Sequence, residues 1–178
     1  MVRASTRDEI LSAAARLFAA AGYKGTSLQD IAAEVGCSKA TLLYHFATKE
    51  MILATLVAPA VRDLATLTEN LAGLPAAGAR DQAIDGFVDL ALNYRREIAV
   101  IFHDLPYLIH TESFSDIKEL IDQLTTALAG GSVDPAALVG VTVVMAGIAL
   151  VAVDPVEHGI DLRAALIDVA RRALGPGA

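Results

Sequence analysis

Between Asp134 and Asp154 lie nineteen consecutive residues, Pro135 to Val153, without a single charge. This stretch limits the fold more than any other part of the chain. A helix that is apolar all round has to be covered on several sides. Nineteen residues also come close to the ~20 that a membrane-spanning helix needs. The flanks argue against a span: an aspartate stands at each end, no Lys or Arg anchor is adjacent, and no aromatic belt is present. Gly140 and Gly147 lie inside the stretch. A buried helix within a folded body is therefore expected, with no membrane partner. Hydrophobic residues make up 54% of the 178 positions, which excludes disorder as a description of the whole chain.

The remaining segments also repeat at helical spacing, and alternating strand patterns are scarce, so the expected fold class is all-α. Ile10, Ala14, Leu17, Phe18 and Ala21 fall three or four apart and share one helix face. Thr6 followed by Glu9 reads as the capping box of that helix, and Gly22 as its end. Start signals recur at Thr26-Ser27, Ser38 and Thr48, with Gly36 closing the second helix. The helix after Thr48 is expected to run from Lys49 to about Leu71, and 73–78 to form a loop. Further helices are expected at 79–93, from Ser113 or Ser115 to Leu128, from Asp134-Pro135 onward, and at about 161–174. Pro106 breaks the segment that follows Asn93.

Residues 27–46 thus hold two short helices joined by Val35-Gly36-Cys37, which is helix-turn-helix geometry. Leu28, Ile31, Ala32, Val35, Leu42 and Phe46 are placed to clamp the pair together. Ser38, Lys39, Thr41, Tyr44 and His45 remain outside on the second helix. Lys39 and Lys49 suit phosphates, and the hydroxyls of Ser27, Ser38 and Thr41 can donate to phosphate oxygens. Free N–H groups at both helix starts suit phosphate as well. Tyr23 and Phe46 are expected in the core. His45 has two readings, a DNA contact or a cation at the C-terminus of its helix. Arg3 and Arg7 are either an arm reaching the duplex or solvated. Cys37 is expected to be a small turn residue.

Three runs then stand out together: Phe18-Ala19-Ala20-Ala21-Gly22-Tyr23, Thr26-Ser27-Leu28-Gln29-Asp30-Ile31-Ala32, and the unbroken run from Val35 to Glu50. In order and without gaps over residues 6–53, they resemble the DNA-binding domain of TetR-family transcriptional regulators. The resemblance implies an N-terminal three-helix helix-turn-helix domain over 1–50. A connecting helix at about 49–71 would lead into a C-terminal helical ligand-binding and dimerisation domain over 51–178. It implies phosphate or base contacts from Thr26, Ser27, Ser38, Lys39, Thr41, Tyr44, His45 and Lys49. Lys39, Thr41 and Leu43 are implied to face the major groove. Leu43 departs from the family, which often has an aromatic there; leucine cannot hydrogen-bond, so it meets a thymine methyl or contributes little. The implied function is a ligand-responsive regulator, most often a repressor. It would bind a palindromic operator as a homodimer in the cytoplasm and be released by a small-molecule effector.

In the body, Gly140 and Gly147 are seven apart and share a face with Val143, Val144 and Val151. The last helix offers Leu162, Leu166 and Val169 on one stripe. A chain this short has little else to cover these two helices, so pairing with a second copy as a four-helix interface is expected. The resemblance implies the same interface. Phe87, Tyr94, Phe102, Tyr107 and Phe114, with His103 and His110, concentrate in the middle helices. Apolar surface with a few polar tips suits a small-molecule pocket, and equally an ordinary core. The resemblance implies an effector site here, for an unidentified and apolar small molecule.

Two rival classes are an enzyme and a helical protein-binding module without specific DNA binding. No nucleophile-elbow, zinc-helix or phosphate-loop pattern is present, so neither catalysis, a metal nor a cofactor is expected. His103 and Asp104 are adjacent and do not face each other on a helix. His158 beside Glu157 is expected to be solvated. The single cysteine makes no intramolecular disulfide, consistent with a reducing cytoplasm. The N-terminus reaches charged residues before any apolar run, unlike a secretory signal. Net charge is −7, but it divides into +1 over residues 1–50 and −8 over 51–178. Weak background DNA binding is expected from so small a positive charge on the reader.

Overall fold

The computed structural model describes residues 5–100, 115–154 and 161–175. It contains α1 (Thr6–Gly25), α2 (Leu28–Val35), α3 (Lys39–His45), α4 (Lys49–Leu71), α5 (Ala76–Asn93), α6 (Ser115–Leu128), α7 (Pro135–Val153) and α8 (Leu162–Leu174). Residues 95–100 are helical too, and no strand occurs among the described residues. The fold is all-α.

Most helix starts follow from a side-chain cap. Ser38 accepts from the Thr41 N–H, Thr48 from Met51, Asp134 from Ala137 and Asp161 from Ala164. Such caps satisfy N–H groups that have no partner inside the helix. At α1 the cap is Ser5 rather than Thr6. Ser5 is still extended at φ −71° and ψ 151°, so its hydroxyl can turn back to the Asp8 N–H, whereas Thr6 is already helical. The 73–78 loop is also shorter than expected, because α5 begins at Ala76. Pro75 precedes it with φ already at −58°, which sets the entry without a side-chain cap.

Two apolar cores organise these helices. The N-terminal one gathers Ile10, Ala14, Phe18, Tyr23, Ile31, Leu42, Phe46, Ile52, Leu53 and Val57, together with Val100. The second collects Leu64, Leu71, Ile84, Phe87, Val88, Ile98, Leu124, Leu128, Val141, Ile148 and Ile167. α4 enters both. α5 is the centre of the second and packs on α4, α6, α7 and α8. Its contact with α4 is close because Gly86 has no side chain: a Cβ there would lie 2.4 Å from Leu67 Cδ1.

α8 is fastened to α5 by charge. Arg163 donates through Nε and Nη2 to Asp89 at 2.6 and 2.9 Å, and Arg171 reaches Asp85 at 3.1 Å. Half-buried Arg80 ties helix ends together. Its Nη2 donates to the Ala129 carbonyl at 2.8 Å, and its Nη1 to the Gly175 carbonyl at 3.1 Å. These carbonyls follow the last turns of α6 and α8, where a cation is favoured.

α7 is only partly covered. It is not covered on several sides by its own chain. Val141, Ile148, Ala149 and Ala152 are buried, but Val139, Val143 and Leu150 are 62%, 66% and 70% exposed. By length and composition alone α4 and α7 both match a membrane span, yet each has buried residues on the protein's own core.

Two stability outcomes follow. Arg80→Met removes the cation from three carbonyl contacts, and a loss of about 1.5–3 kcal/mol is expected in urea denaturation. For Asp89, the hydrogen bonds from Arg163, reinforced by its charge, hold the carboxyl below the usual aspartate range. A depressed carboxylate stabilises the fold above its unfolded-state pKa and stops doing so as pH falls through the folded-state value. Both partners are nearly half exposed, so Asp89→Asn is expected to lose under ~1 kcal/mol at neutral pH. The difference from wild type should vanish on acidification below about pH 4, measured by denaturation across pH.

Candidate nucleic-acid interface

The turn between α2 and α3 is built by backbone geometry. Gly36 sits in the left-handed region at φ 74°, which favours glycine. Its N–H donates to the Ala33 carbonyl at 3.1 Å, and the Cys37 N–H to the Ala32 carbonyl at 2.9 Å. This paired closure satisfies the last carbonyls of α2 and turns the chain sharply. Leu42 and Phe46 are 0% and 1% exposed and anchor α3 on the core, while Leu28 and Val35 pack partly buried against it.

With Leu42 inside, α3 turns Lys39, Thr41, Leu43 and Tyr44 to the surface. Leu43 is 41% exposed and Tyr44 85%, unusual for residues of their size. His45 is half-buried, with its ring edge-on to Tyr44 at 5.3 Å between centroids. The α3 face therefore carries a cation, a hydroxyl, an aliphatic side chain and a projecting phenol on a short, rigid helix.

Several residues assigned to DNA have internal bonds. Thr26 is buried, and its hydroxyl donates to the Gly22 carbonyl at 2.9 Å. Ser27 and Ser38 are exposed, but both hydroxyls serve as helix caps. Asp30 completes a capping box by accepting from the Ser27 N–H at 2.8 Å. The Ser27 hydroxyl and N–H, in that order, hold its carboxyl below the usual range. The start of α2 thus already holds an anion. Lys49 Nζ donates to the carbonyls of Tyr23 and Thr26, at 2.8 Å each. Arg7 lies over the Phe46 ring, 4.9 Å from its centroid. Arg3 lies outside the described residues.

The sequence reading did not include the bond from Tyr23 Oη to Glu50, at 2.8 Å, which links α1 to α4. Glu50's own backbone N–H and the Tyr23 hydroxyl hold its carboxyl below the usual range. Glu50 and Tyr23 lie 27 residues apart, and no local signal in the sequence pairs them.

In the body, Phe87 lines an apolar cavity of ≈ 90 Å³ with Ala60, Val61, Leu64, Leu90, Ile98, Ile117, Ile121, Leu124 and Met145. These aliphatic residues look like any core in sequence, so a search for aromatics misses them. Tyr94 does not line this cavity; its hydroxyl donates to Asp63 at 2.6 Å, a bond that raises the phenol pKa. Phe102, His103, Tyr107, His110 and Phe114 lie outside the described residues, as do Pro106 and His158. Of the residues assigned to an interface, Val143, Gly147 and Val169 are exposed and Gly140 is half-buried. Val144, Val151 and Leu162 pack against the chain's own second core, and Leu166 is part of that core. Among the described residues no group of His, Cys, Asp and Glu is arranged to hold a metal.

Residues 10–56 match the family model described as bacterial regulatory proteins of the TetR family. A 46-residue segment, 26% of this chain, is 48% identical to IcaR, the negative transcriptional regulator of the biofilm operon in Staphylococcus aureus. The matched part spans 25% of that protein, so the chain matches about a quarter of the length of its curated relatives. Over nearly the whole chain it resembles AmtR of Mycobacterium smegmatis, with 28% identity, TM-score 0.68, and 98% of this chain and 88% of that one covered. AibR, solved with isovaleryl coenzyme A and operator DNA, shares the fold at 20% identity and TM-score 0.66, covering 93% and 95%. These relatives are transcriptional regulators and not enzymes. Residues 10–56 thus carry the helix-turn-helix of the TetR family of bacterial regulatory proteins, and the helical body that follows shares the fold of solved transcriptional regulators.

Proposed function

We propose that this protein represses transcription by binding a palindromic operator as a homodimer, and that a small apolar effector releases it. The observation that carries the reading is the outer face of α3. A seven-residue helix pinned by Leu42 and Phe46 exposes Lys39, Thr41, Leu43 and Tyr44 together. That is the size and chemistry of an element entering a major groove: phosphate contacts position it and side chains at base edges specify the sequence. Lys39 is assigned to a phosphate, Thr41 and Leu43 to bases, and Tyr44 to the sugar-phosphate edge. Ser27, Ser38 and Thr26 act through the turn they build. His45 flanks Tyr44.

Dimerisation is assigned to the exposed face of α7, with Val169 from α8. Val139, Val143, Ala146, Leu150 and Val153 are exposed at spacings of four, three, four and three, the pattern of a helix seam. Gly147 beside them permits close approach. A dimer places two copies of α3 so that they read half-sites one helical turn apart, ~34–36 Å. The repressive direction draws support from IcaR, a negative regulator.

The effector is assigned to the cavity around Phe87, which at ≈ 90 Å³ has to widen to admit a small molecule. Its walls come from α4, α5, α6 and α7, and they are apolar. A ligand there presses on α4 through Ala60, Val61 and Leu64, and α4 leads directly to α3. Binding in this way changes the spacing of the two readers, a coupling of ~1–3 kcal/mol in typical allostery. AibR holds both a ligand and operator DNA on the same fold. We place this action in the cytoplasm.

Selection of bound duplexes from a random pool tests the reading: enrichment of a palindrome is expected, and no enrichment would refute it. On the selected duplex, Lys39→Ala should weaken binding and lower the slope of log affinity against log salt by about 0.9 per subunit. Val143→Asp places a charge in the seam, and light scattering at micromolar concentration should show a monomer where the wild type is a dimer.

A further inference from the structure

Lys49 is the last of three lysines in residues 1–50, and by sequence it matches a phosphate contact. Its surroundings favour a different role. Nζ has carbonyl oxygens of Tyr23 and Thr26 at 2.8 Å each, and it lies 4.2 Å from the centroid of the Tyr23 ring. An ammonium has three donors, and two of them are used here within the chain. Those carbonyls follow the break in α1 at Gly22, where the backbone turns to φ 77° and ψ 161°. The cation therefore sits where α1 ends and where the chain heads into α2.

The neighbouring bonds converge on the same turn. The Thr26 hydroxyl donates back to the Gly22 carbonyl at 2.9 Å, and Tyr23 Oη donates to Glu50 at 2.8 Å. Tyr23 is 2% exposed and Thr26 3% exposed, so the turn is held on both sides. Lys49 and Glu50 are the first two residues of α4. Two adjacent side chains of α4 thus grip the segment that precedes α2, one by its backbone oxygens and one by its phenol.

We infer that Lys49 is a positioning residue for DNA reading: a strut that fixes the angle between α4 and the helix-turn-helix, not a phosphate ligand. The inference rests on the DNA-reading function proposed above. Charge-assisted hydrogen bonds to fixed carbonyls are strong and directional, so the ammonium locks the 23–26 turn to the first turn of α4. Movement of α4 is then carried into α2 and α3 as one unit. A lysine reaching outward to phosphate would contribute charge alone. This one contributes geometry.

The salt dependence of binding separates the two roles, because each neutralised phosphate adds a fixed increment to the slope. The assay uses the full chain and the duplex selected from the random pool. Lys49→Met is expected to weaken binding about tenfold at each salt concentration, with helicity unchanged and the wild-type slope retained. A slope reduced by about 0.9 per subunit would identify a phosphate ligand and overturn the proposal. Unchanged affinity in a folded variant would overturn it as well. Where that variant does not fold, the wild-type Lys49 ammonium is read by nitrogen-15 NMR. A signal slow to exchange with water in the free protein and unmoved by the duplex supports the strut. A signal that slows only on adding duplex refutes it. If the wild type selects no duplex, the DNA-reading function fails, while the ammonium signal of the free protein still reports on the strut.

Discussion

The structure depends on one helix being shared by two cores. α4 contributes Ile52, Leu53 and Val57 to the N-terminal core and Leu64 and Leu71 to the second. A helix of 23 residues is far stiffer than a loop, so neither core can shift without the other being addressed. Pro59 lies between the two sets. Its ring removes the N–H that would donate to the Thr55 carbonyl, so the ladder lacks a rung where the cores meet. The cavity lined by Ala60, Val61 and Leu64 begins one residue later. The rigid element and its weakest rung thus both lie beside the space assigned to an effector. Val100 adds a second link between the cores, being buried in the first while Ile98 belongs to the second.

Charge is distributed to match this division. The reader carries a net +1 and the body −8. Even that small positive charge is partly engaged within the chain: Arg16 donates to Glu34 at 3.1 Å, Arg7 covers Phe46, and Lys49 binds carbonyls. Little is left to attract any polyanion indiscriminately. In the proposed function affinity comes from placed contacts on α3, while an acidic body would repel DNA at a distance. Low net charge in such a protein sharpens the difference between operator and bulk DNA, because non-specific binding rests almost wholly on counterion release.

Local signals made much of the fold legible. Ser27 with Asp30, Gly36, Ser38, Thr48 and Asp134-Pro135 each mark a boundary that the structure places within a residue, because a cap acts through bonds made three residues away. Where two candidates compete locally, sequence alone decides poorly: Ser5 displaced Thr6 because only one of them remains extended. Long-range partnerships were not legible. Lys49 and Tyr23 lie 26 residues apart, and Arg80 and Gly175 lie 95 apart; nothing in their spacing reveals the contact. The composition of the cavity was hidden for a further reason. Leu, Ile and Met lining a void have the same periodicity as Leu, Ile and Met filling a core, and only packing tells them apart.

The uncharged α7 resolves the tension between apolar composition and surface. On its inner side Val141, Ile148, Ala149 and Ala152 are buried in the chain's own body. A helix of ordinary globular type would carry polar residues opposite. Here the opposite side holds Val139, Val143, Ala146, Leu150 and Val153. Their spacing averages 3.5 residues, the period that keeps a stripe facing one partner along its whole length. A lipid-facing surface has no need of such a period, since hydrocarbon is the same in every direction. Val169 of α8, a helix that packs on α7, is likewise 53% exposed. In the proposed dimer, two faces of this kind related by a two-fold axis would cover each other. The excess hydrophobicity of the chain would then be what a subunit requires in order to be half of an interface.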